Sequence, residues 1–262
     1  MMENQTNSGI REILNKVPAV TLTFWVIKIL STTVGETGAD YLAVNAGLGQ
    51  GLTSAIMAIF LTIALGKQLV SKTYTPWIYW LTVVLVSIVG TQITDLLTDK
   101  LGVSLYISTT IFAIGLAIIF MVWYTIERTL SIHEITTSRR ELFYWSAILC
   151  TFALGTAAGD LATEALSLGF SIGAIAFGAM ILASYLLFRL GGNPVLTFWI
   201  GYILTRPFGA ALGDLLTQSK TYGGLGMGAM WTSVLFLSVI IILVGTAQFT
   251  ISTKVINPQF SE

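Results

Sequence analysis

Four aspartates recur at equivalent positions in this chain, each inside an apolar segment. Each one completes the same pattern, in which an aromatic residue and a tryptophan are followed by nine residues, a glycine, four residues and the aspartate. Ionisable side chains in apolar membrane segments are costly, and they usually face a protein interior or a cavity. A pattern copied four times also indicates one repeated structural unit. We therefore interpret these aspartates as candidate functional residues: Asp40, Asp95, Asp160 and Asp214.

A second polar residue lies one helical turn from each of these aspartates. Three of these residues are the carboxylates Glu36, Asp99 and Glu164, and the fourth is the amide Gln218. Positions i and i+4 share one helix face, so three segments place two carboxylates side by side. Something must neutralise this charge. The candidates are protons, a bound cation, a basic side chain, or water at the helix ends.

Oxygen ligands of this kind suit hard cations such as Mg²⁺, Ca²⁺ and Mn²⁺. We therefore predict that the four aspartates converge as ligands of a cation. In the most specific version of this hypothesis, the cation is a metal ion. Glu36, Glu164 and Asp99 are expected to assist. The alternative is that the acidic side chains are solvated or stabilise the turn that follows. This alternative carries most weight for Asp99 and Glu164, which lie furthest toward the helix ends.

Two basic residues also fall inside apolar segments, Lys28 in the first repeat and Arg206 in the last. The two middle repeats have uncharged residues at the matching positions. We predict that Lys28 and Arg206 act as internal counter-ions for the carboxylates. Snorkelling, or a purely structural salt bridge to Asp40 or Asp214, is the alternative. Pro207 follows Arg206 directly and predicts a bend in this helix.

The elements that must position these residues are membrane-spanning helices. The chain is 55% hydrophobic and 10% charged, a composition typical of membrane proteins. About 20 apolar residues cross a hydrocarbon core of roughly 30 Å. We find no enzyme motif, and we expect no catalytic activity, no cofactor and no nucleic-acid binding. The sequence predicts eight membrane helices, at 18–44, 51–70, 76–97, 103–126, 142–166, 171–190, 194–217 and 225–250.

Each repeat contains two helices, so successive repeats begin on the same side of the membrane and are parallel. The predicted fold class is an all-α polytopic membrane protein, with eight transmembrane helices arranged as four tandem helical hairpins. A charged loop at 127–141 separates a first half, 18–126, from a second half, 142–250. An N-terminal segment, 1–17, and a C-terminal tail, 251–262, flank the two halves.

Basic residues are concentrated on the side of the membrane that holds both termini. The opposite side has Lys100 and Lys220 alone. By the positive-inside rule, the termini and the linker at 127–141 are predicted to be cytoplasmic. The basic residues on that side are Arg11, Lys16, Lys67, Lys72, Arg128, Arg139, Arg140, Arg189 and Lys254.

The four tandem two-helix repeats resemble bacterial membrane proteins that carry a "repeat of unknown function" (domain of unknown function 347). The resemblance covers residues 18–250, and it implies a location in the bacterial inner membrane but transfers no activity. Repeats 1 and 2 depart from the Gly-Asp pair, since Ala39 and Thr94 precede their aspartates. The residues that carry the resemblance are Gly159-Asp160 and Gly213-Asp214, with Trp25, Trp80, Trp145 and Trp199.

These observations predict a transporter of a small cation, with a divalent metal such as Mn²⁺ as a candidate substrate. Coupling to protons is expected to run through the paired carboxylates, and the other expected partner is the lipid bilayer. The sequence leaves alternatives open. One is a non-transporting membrane scaffold or sensor whose acids stabilise turns, and another is a passive channel. A third is a transporter of an anionic or zwitterionic organic substrate held by Lys28 and Arg206.

Overall fold

The computed structural model describes residues 15–256, and within this range it contains helices and no strand. Two short 3₁₀ turns, Ile132–Glu134 and Lys220–Tyr222, lie between the long helices. Most of the predicted N-terminal segment, 1–17, and the second half of the predicted tail, 251–262, lie outside the described residues. The long helices are α1 (Leu22–Asp40), α2 (Gln50–Val70), α3 (Pro76–Asp95), α4 (Leu105–Glu127), α5 (Ser138–Asp160), α6 (Gly169–Arg189), α7 (Pro194–Thr217) and α8 (Ala229–Ile256).

The helices that carry the aspartates begin at recognisable signals. Proline opens α3 and α7, where its fixed backbone angle suits a helix start and its missing N–H is not needed. The side chain of Thr21 accepts a hydrogen bond from the N–H of Phe24, and Thr137 caps α5 in the same way. The predicted start of the first helix at residue 18 is therefore too early, because the Thr21 cap places the start at Leu22.

Three of these helices change their hydrogen-bonding pattern directly after the aspartate. The π-helical turns Tyr41–Asn45, Leu96–Lys100 and Leu161–Ala165 extend α1, α3 and α5. In each turn, the carbonyl of the residue after the aspartate accepts an N–H from five residues further on, at 2.8–3.1 Å. Helix α7 lacks this turn and ends at Thr217. π-helical turns are rare and occur frequently at functional sites.

The four odd-numbered helices form a closed inner ring, in the order α1, α3, α5, α7 and back to α1. One contact is repeated around this ring, between the glycine of each repeat and a residue of the next ring helix. A Cβ atom on any of these glycines would overlap that residue, so the helices can approach this closely because glycine has no side chain. The contacts join Gly35 to Ser87, Gly90 to Phe152, Gly155 to Arg206, and Gly209 to Thr32.

The even-numbered helices pack around the outside of this ring. Each one contacts chiefly the ring helix of the next repeat: α2 packs on α3, α4 on α5, α6 on α7, and α8 returns to α1. The sequence predicted that the two helices of one repeat would pair as a hairpin. In the structure the repeats interlock instead, so each repeat buries its apolar surface mainly against its neighbour, as repeat units commonly do.

The outer surface of the bundle is apolar. Helices α2 to α8 are all long and apolar enough to cross a membrane, as expected of a multi-pass membrane protein. In α2, α4, α6 and α8, 11–22% of the most apolar stretch is buried, against 61% in α3, α5 and α7. The even-numbered helices therefore present their side chains outward, where lipid would be, and the ring helices hold the core. Helix α1, which carries Lys28, Glu36 and Asp40, belongs to this core.

The predicted linker at 127–141 is packed against one end of the bundle. Ile135 is fully buried, and the N–H of Lys16 donates to its carbonyl at 3.0 Å. The ammonium group of Lys16 forms a buried ion pair with Glu141 at 2.7 Å. Gln68, near the end of α2, donates to the same carboxylate at 2.9 Å. The described part of the N-terminal segment and the linker thus form one packed end with α2 and α5.

The ring contacts generate a stability prediction. We expect Gly90→Ala to lower the free energy of unfolding by about 1–3 kcal/mol, the usual cost of overpacking a tight contact. The new Cβ would lie 2.5 Å from Cβ of Phe152 and 3.3 Å from backbone atoms of α5, which cannot move independently. Thermal unfolding in detergent measures the effect.

Gly66→Ala is the matched control for this experiment. Gly66 lies within α2, and no atom lies within 4 Å of the position that its Cβ would take. An alanine there should leave the midpoint unchanged or raise it, because alanine favours a helix interior by up to about 1 kcal/mol over glycine. Equal midpoints for the two variants would contradict the proposed role of the glycine contacts.

Candidate functional site

Side chains from equivalent positions of the four ring helices form successive layers inside the bundle. Of the three layers that bear on the site, the last two lie one turn apart, because positions four residues apart share a helix face. The aromatic layer, eleven residues before the glycines, consists of Phe24, Tyr79, Tyr144 and Phe198. The cage layer, one residue after them, consists of Glu36, Thr91, Thr156 and Ala210. The aspartate layer, five residues after them, consists of Asp40, Asp95, Asp160 and Asp214.

Arg206 fills the centre of the ring at the level of the cage layer. Its side chain is fully buried, and Nη2 lies 2.6 Å from Oε2 of Glu36. The same nitrogen donates to the hydroxyls of Thr156, at 2.8 Å, and Thr91. Nη1 donates to the backbone carbonyl of Thr32 at 3.2 Å. One guanidinium group on α7 therefore contacts the other three ring helices. The fourth cage-layer residue, Ala210, is small and lies on the same helix as Arg206.

The partner of Arg206 is Glu36 on α1. The sequence offered Asp40 or Asp214 as partners of a structural salt bridge, and the structure places the ion pair one turn away from both. Glu36 was predicted as an assistant to Asp40 in cation binding. In the structure it is buried and its carboxylate is engaged by the guanidinium. Helix α7 continues through Pro207, and this proline packs against Gly155 and Gly159 of α5.

Lys28 is buried in the ring and contacts aromatic rings, not a carboxylate. Its Nζ lies 4.0 Å from the centre of the Phe152 ring and 4.3 Å from that of Tyr202. This amine forms no hydrogen bond with any residue that the structure describes. Contacts between an ammonium group and aromatic faces are attractive, although weaker than a desolvated ion pair. The predicted pairing of Lys28 with the carboxylates is therefore not present in this conformation.

The four predicted aspartates occupy the same repeat position at or near the C-terminal ends of the four ring helices. Asp214 is buried, and Asp40, Asp95 and Asp160 are partly exposed. Each of the four interacts electrostatically with Glu36. Within residues 15–256, none of them forms an ion pair or a side-chain hydrogen bond. Among the residues that the structure describes, the aspartate layer is thus a set of carboxylates with no positively charged side chain bonded to it.

The two outermost acids, Asp99 and Glu164, are exposed at the rim beyond the aspartate layer. Asp99 accepts a hydrogen bond from the neighbouring Thr98 at 3.0 Å. The described ranges contain no group of three or more His, Cys, Asp and Glu side chains placed to hold a metal ion. The predicted metal site at the four aspartates is therefore not formed among the described residues in this conformation.

The far end of the ring is closed by aromatic side chains. The hydroxyls of Tyr79 and Tyr144 are 2.5 Å apart, and both rings are fully buried. The ring of Phe24 packs against Phe198, with centroids 6.2 Å apart. The aspartate layer, with its partly exposed side chains, lies at the opposite end. The ring is therefore polar and partly exposed at one end, and aromatic and buried at the other.

Thr91 and Thr156, which accept hydrogen bonds from the guanidinium of Arg206, are not among the site residues predicted from the sequence. The signal that could have found them is the residue after each repeat glycine. Aligning the four copies on glycine gives Glu, Thr, Thr and Ala at this position. Three oxygen-bearing side chains at one repeated position predict a polar layer. The sequence alone does not show that the four helices close into a ring, which turns these side chains toward one another.

Comparisons with curated proteins and with solved structures give no match. A family model described as Repeat of Unknown Function (DUF347) matches four segments, 23–74, 78–129, 143–190 and 197–251. Each segment contains one ring helix with its tryptophan, glycine and aspartate, followed by one outer helix. These segments cover most of the chain, and they coincide with the four repeats that form the ring. The chain therefore belongs to the Repeat of Unknown Function (DUF347) family.

Proposed function

We propose that this protein is a membrane transporter of a small cation, with eight membrane-spanning helices in four parallel repeats. The observation that carries the proposal is the layer of four aspartates beside a buried ion pair, Arg206 with Glu36. Carboxylates held inside membrane helices are expensive and typically mark ion or proton pathways. A purely structural bundle could place uncharged residues at all four positions without this cost.

The charge of the aspartate layer must be balanced by ions from outside the protein. The two buried basic side chains are engaged elsewhere, since Arg206 pairs with Glu36 and Lys28 contacts aromatic rings. Neighbouring carboxylates in a poorly hydrated site cannot all stay charged without a counter-ion. A hard cation and protons can each supply the missing positive charge. Exchange of one for the other would couple cation movement to proton movement, with a divalent metal such as Mn²⁺ as the candidate substrate.

Filling of the ring interior favours a carrier over an open channel. Arg206 occupies the centre at the cage layer, and the aromatic layer closes the far end. A cation that crosses the ring would have to displace the guanidinium and part the aromatic side chains. Both steps require a change of conformation, which is the property of a carrier. In this proposal Arg206 is the counter-ion that moves between carboxylates as the site fills.

We propose an orientation in which both termini are cytoplasmic. The basic residues at the end of the bundle where the ring helices begin support this orientation, because positive charges favour the cytoplasmic side. The aspartate layer would then open toward the outside, and the aromatic layer would close the cytoplasmic side. The family resemblance supports a bacterial inner membrane as the location.

A membrane scaffold is the second candidate function. One observation favours it: Asp40, Asp95 and Asp160 each directly precede a π-helical turn, so these acids could serve to stabilise that turn. A scaffold requires the aspartates for folding alone. A transporter requires them for ion movement in a protein that is folded. The two functions are therefore separated by measuring stability and transport on the same variants.

We expect Asp160→Asn and Asp214→Asn each to reduce cation uptake by at least about tenfold, because removing a ligand charge costs more than about 1.4 kcal/mol of binding. Uptake of Mn²⁺ into proteoliposomes with an imposed pH gradient measures this. Glu134→Gln is the matched control, since it makes the same chemical change in the loop at the other end of the bundle. Undiminished uptake by both aspartate variants would count against the transporter, and a loss of thermal stability alone would favour the scaffold.

Proton coupling generates a separate expectation. If the cation replaces protons on the aspartate layer, its binding should release protons and should weaken as the pH is lowered. The protein in weakly buffered detergent, titrated with MnCl₂ in the presence of a pH dye, should acidify the solution. The double variant Asp160→Asn with Asp214→Asn should release fewer protons per bound ion. Equal release by the wild type and the double variant would show that the protons come from other groups.

A further inference from the structure

The guanidinium group of Arg206 occupies a cage of oxygen atoms. The four oxygens of this cage are Oε2 of Glu36, the hydroxyls of Thr91 and Thr156, and the backbone carbonyl of Thr32. All four residues are buried. They belong to α1, α3 and α5, and each oxygen accepts a hydrogen bond from Arg206. A positively charged group thus lies where oxygen atoms from three ring helices converge.

The two threonine hydroxyls in the cage are oriented as acceptors. Thr156 donates its own proton to the carbonyl of Phe152 in the same helix, at 3.0 Å. Thr91 donates to the carbonyl of Ser87, at 3.2 Å, or to Glu36, at 3.5 Å. The hydroxyl lone pairs therefore face the centre of the ring. A cluster of oxygens that presents lone pairs inward is the donor set that hard cations require.

We propose that this oxygen cage is a binding site for a monovalent alkali-metal cation, and that Arg206 is a tethered cation that occupies it in the present conformation. The inference rests on the proposed transport function, because the cage lies one turn deeper in the ring than the aspartate layer. It assigns to the cage a ligand class distinct from the divalent metal proposed for the aspartates. An alkali ion that enters the cage displaces the guanidinium.

Charge balance is the reason for expecting a monovalent ion. The cage contains one carboxylate, and Arg206 neutralises it with one positive charge. A monovalent ion in the same place preserves this balance. A divalent ion would add a buried positive charge near Lys28, which already interacts electrostatically with Arg206. Unbalanced buried charge is strongly unfavourable. Mg²⁺ also demands a near-ideal octahedral shell and retains several waters, which does not suit a cage built of four protein oxygens.

The displaced guanidinium has a destination within the ring. Arg206 interacts electrostatically with Asp40, Asp95 and Asp214 of the adjacent aspartate layer. Moving toward that layer would keep the arginine paired with a carboxylate while the alkali ion takes its place beside Glu36. Cage occupancy would then reduce the number of cations or protons that the aspartate layer needs. The two layers would thereby be coupled through one side chain.

The test is a salt-dependent thermal unfolding experiment on Arg206→Met in detergent. Methionine fills much of the arginine volume but leaves the carboxylate of Glu36 without its counter-ion. We expect the variant to be less stable than the wild type in choline chloride, whose cation is too large for the cage. Replacing choline by NaCl or KCl at equal ionic strength should raise its midpoint by about 3 °C or more, because an ion bound to the folded state alone stabilises it.

Two controls assign this effect to the cage. The wild type should show a smaller difference between choline and sodium than Arg206→Met does, because an ion must first displace the guanidinium. The double variant Arg206→Met with Glu36→Gln should show none, because no carboxylate remains to bind the ion. Lys28→Met added to Arg206→Met should retain the sodium effect, which excludes occupation of the cage by the lysine amine. A sodium effect that persists without Glu36 would overturn the proposal.

The other possible results of these unfolding experiments also test the proposal. Equal midpoints of Arg206→Met in choline, lithium, sodium and potassium chloride would overturn it. If that variant does not fold in any of these salts, Arg206→Gln carries the same comparison, since its amide can still donate to Thr91 and Thr156. Failure of both variants to gain stability from any alkali ion would overturn it as well. Loss of Mn²⁺ transport is measured separately on the aspartate variants, so failure of the cage site and failure of the transport function are distinguishable.

Discussion

The structure depends on a buried ion pair, Arg206 with Glu36. Removing two such charges from water costs several kcal/mol per ion, and their attraction offsets this cost only when further hydrogen bonds complete the geometry. Thr91, Thr156 and the carbonyl of Thr32 provide those bonds. Each comes from a different ring helix. The pair is therefore stable only when α1, α3, α5 and α7 are all in place. These helices can approach closely enough to form it because a glycine lies at each contact between neighbouring ring helices.

The four repeats conserve the contacts that build the ring and differ at the positions that face its interior. Glycine recurs in every copy, whereas the residue that each glycine contacts is Thr32, Ser87, Phe152 or Arg206. One copy thus supplies a charge where the others supply a hydroxyl or an aromatic ring. A symmetric framework of this kind holds an asymmetric interior without changing the backbone. The interior can therefore hold a single ion pair that breaks the fourfold symmetry of the ring. Four identical repeats could not form such a pair.

Features that depend on local periodicity, such as helices and repeats, could be predicted from the sequence. Contacts that form only when the four helices close into a ring could not. The apolar segments and the repeat length follow from spacing along the chain, and the structure has them. The partner of Arg206 lies 170 positions earlier in the chain, and no local pattern links the two. The packing of α2 on α3, and not on α1, depends in the same way on neighbours in space. The π-helical turns after Asp40, Asp95 and Asp160 shift hydrogen bonds by one residue, a change that leaves the hydrophobic pattern intact.

The charges inside the ring do not balance among themselves. Two basic side chains, Lys28 and Arg206, face five acidic ones, namely Glu36 and the four aspartates. With every group ionised, the ring would lack three positive charges. A low-dielectric interior cannot sustain that deficit, so protons or cations must enter it. Because three of the aspartates are partly exposed, these ions can come from the solution at the open end. Under the proposed transport function, the ring interior would exchange these ions with its surroundings, and a change in the position of Arg206 would change how many it holds.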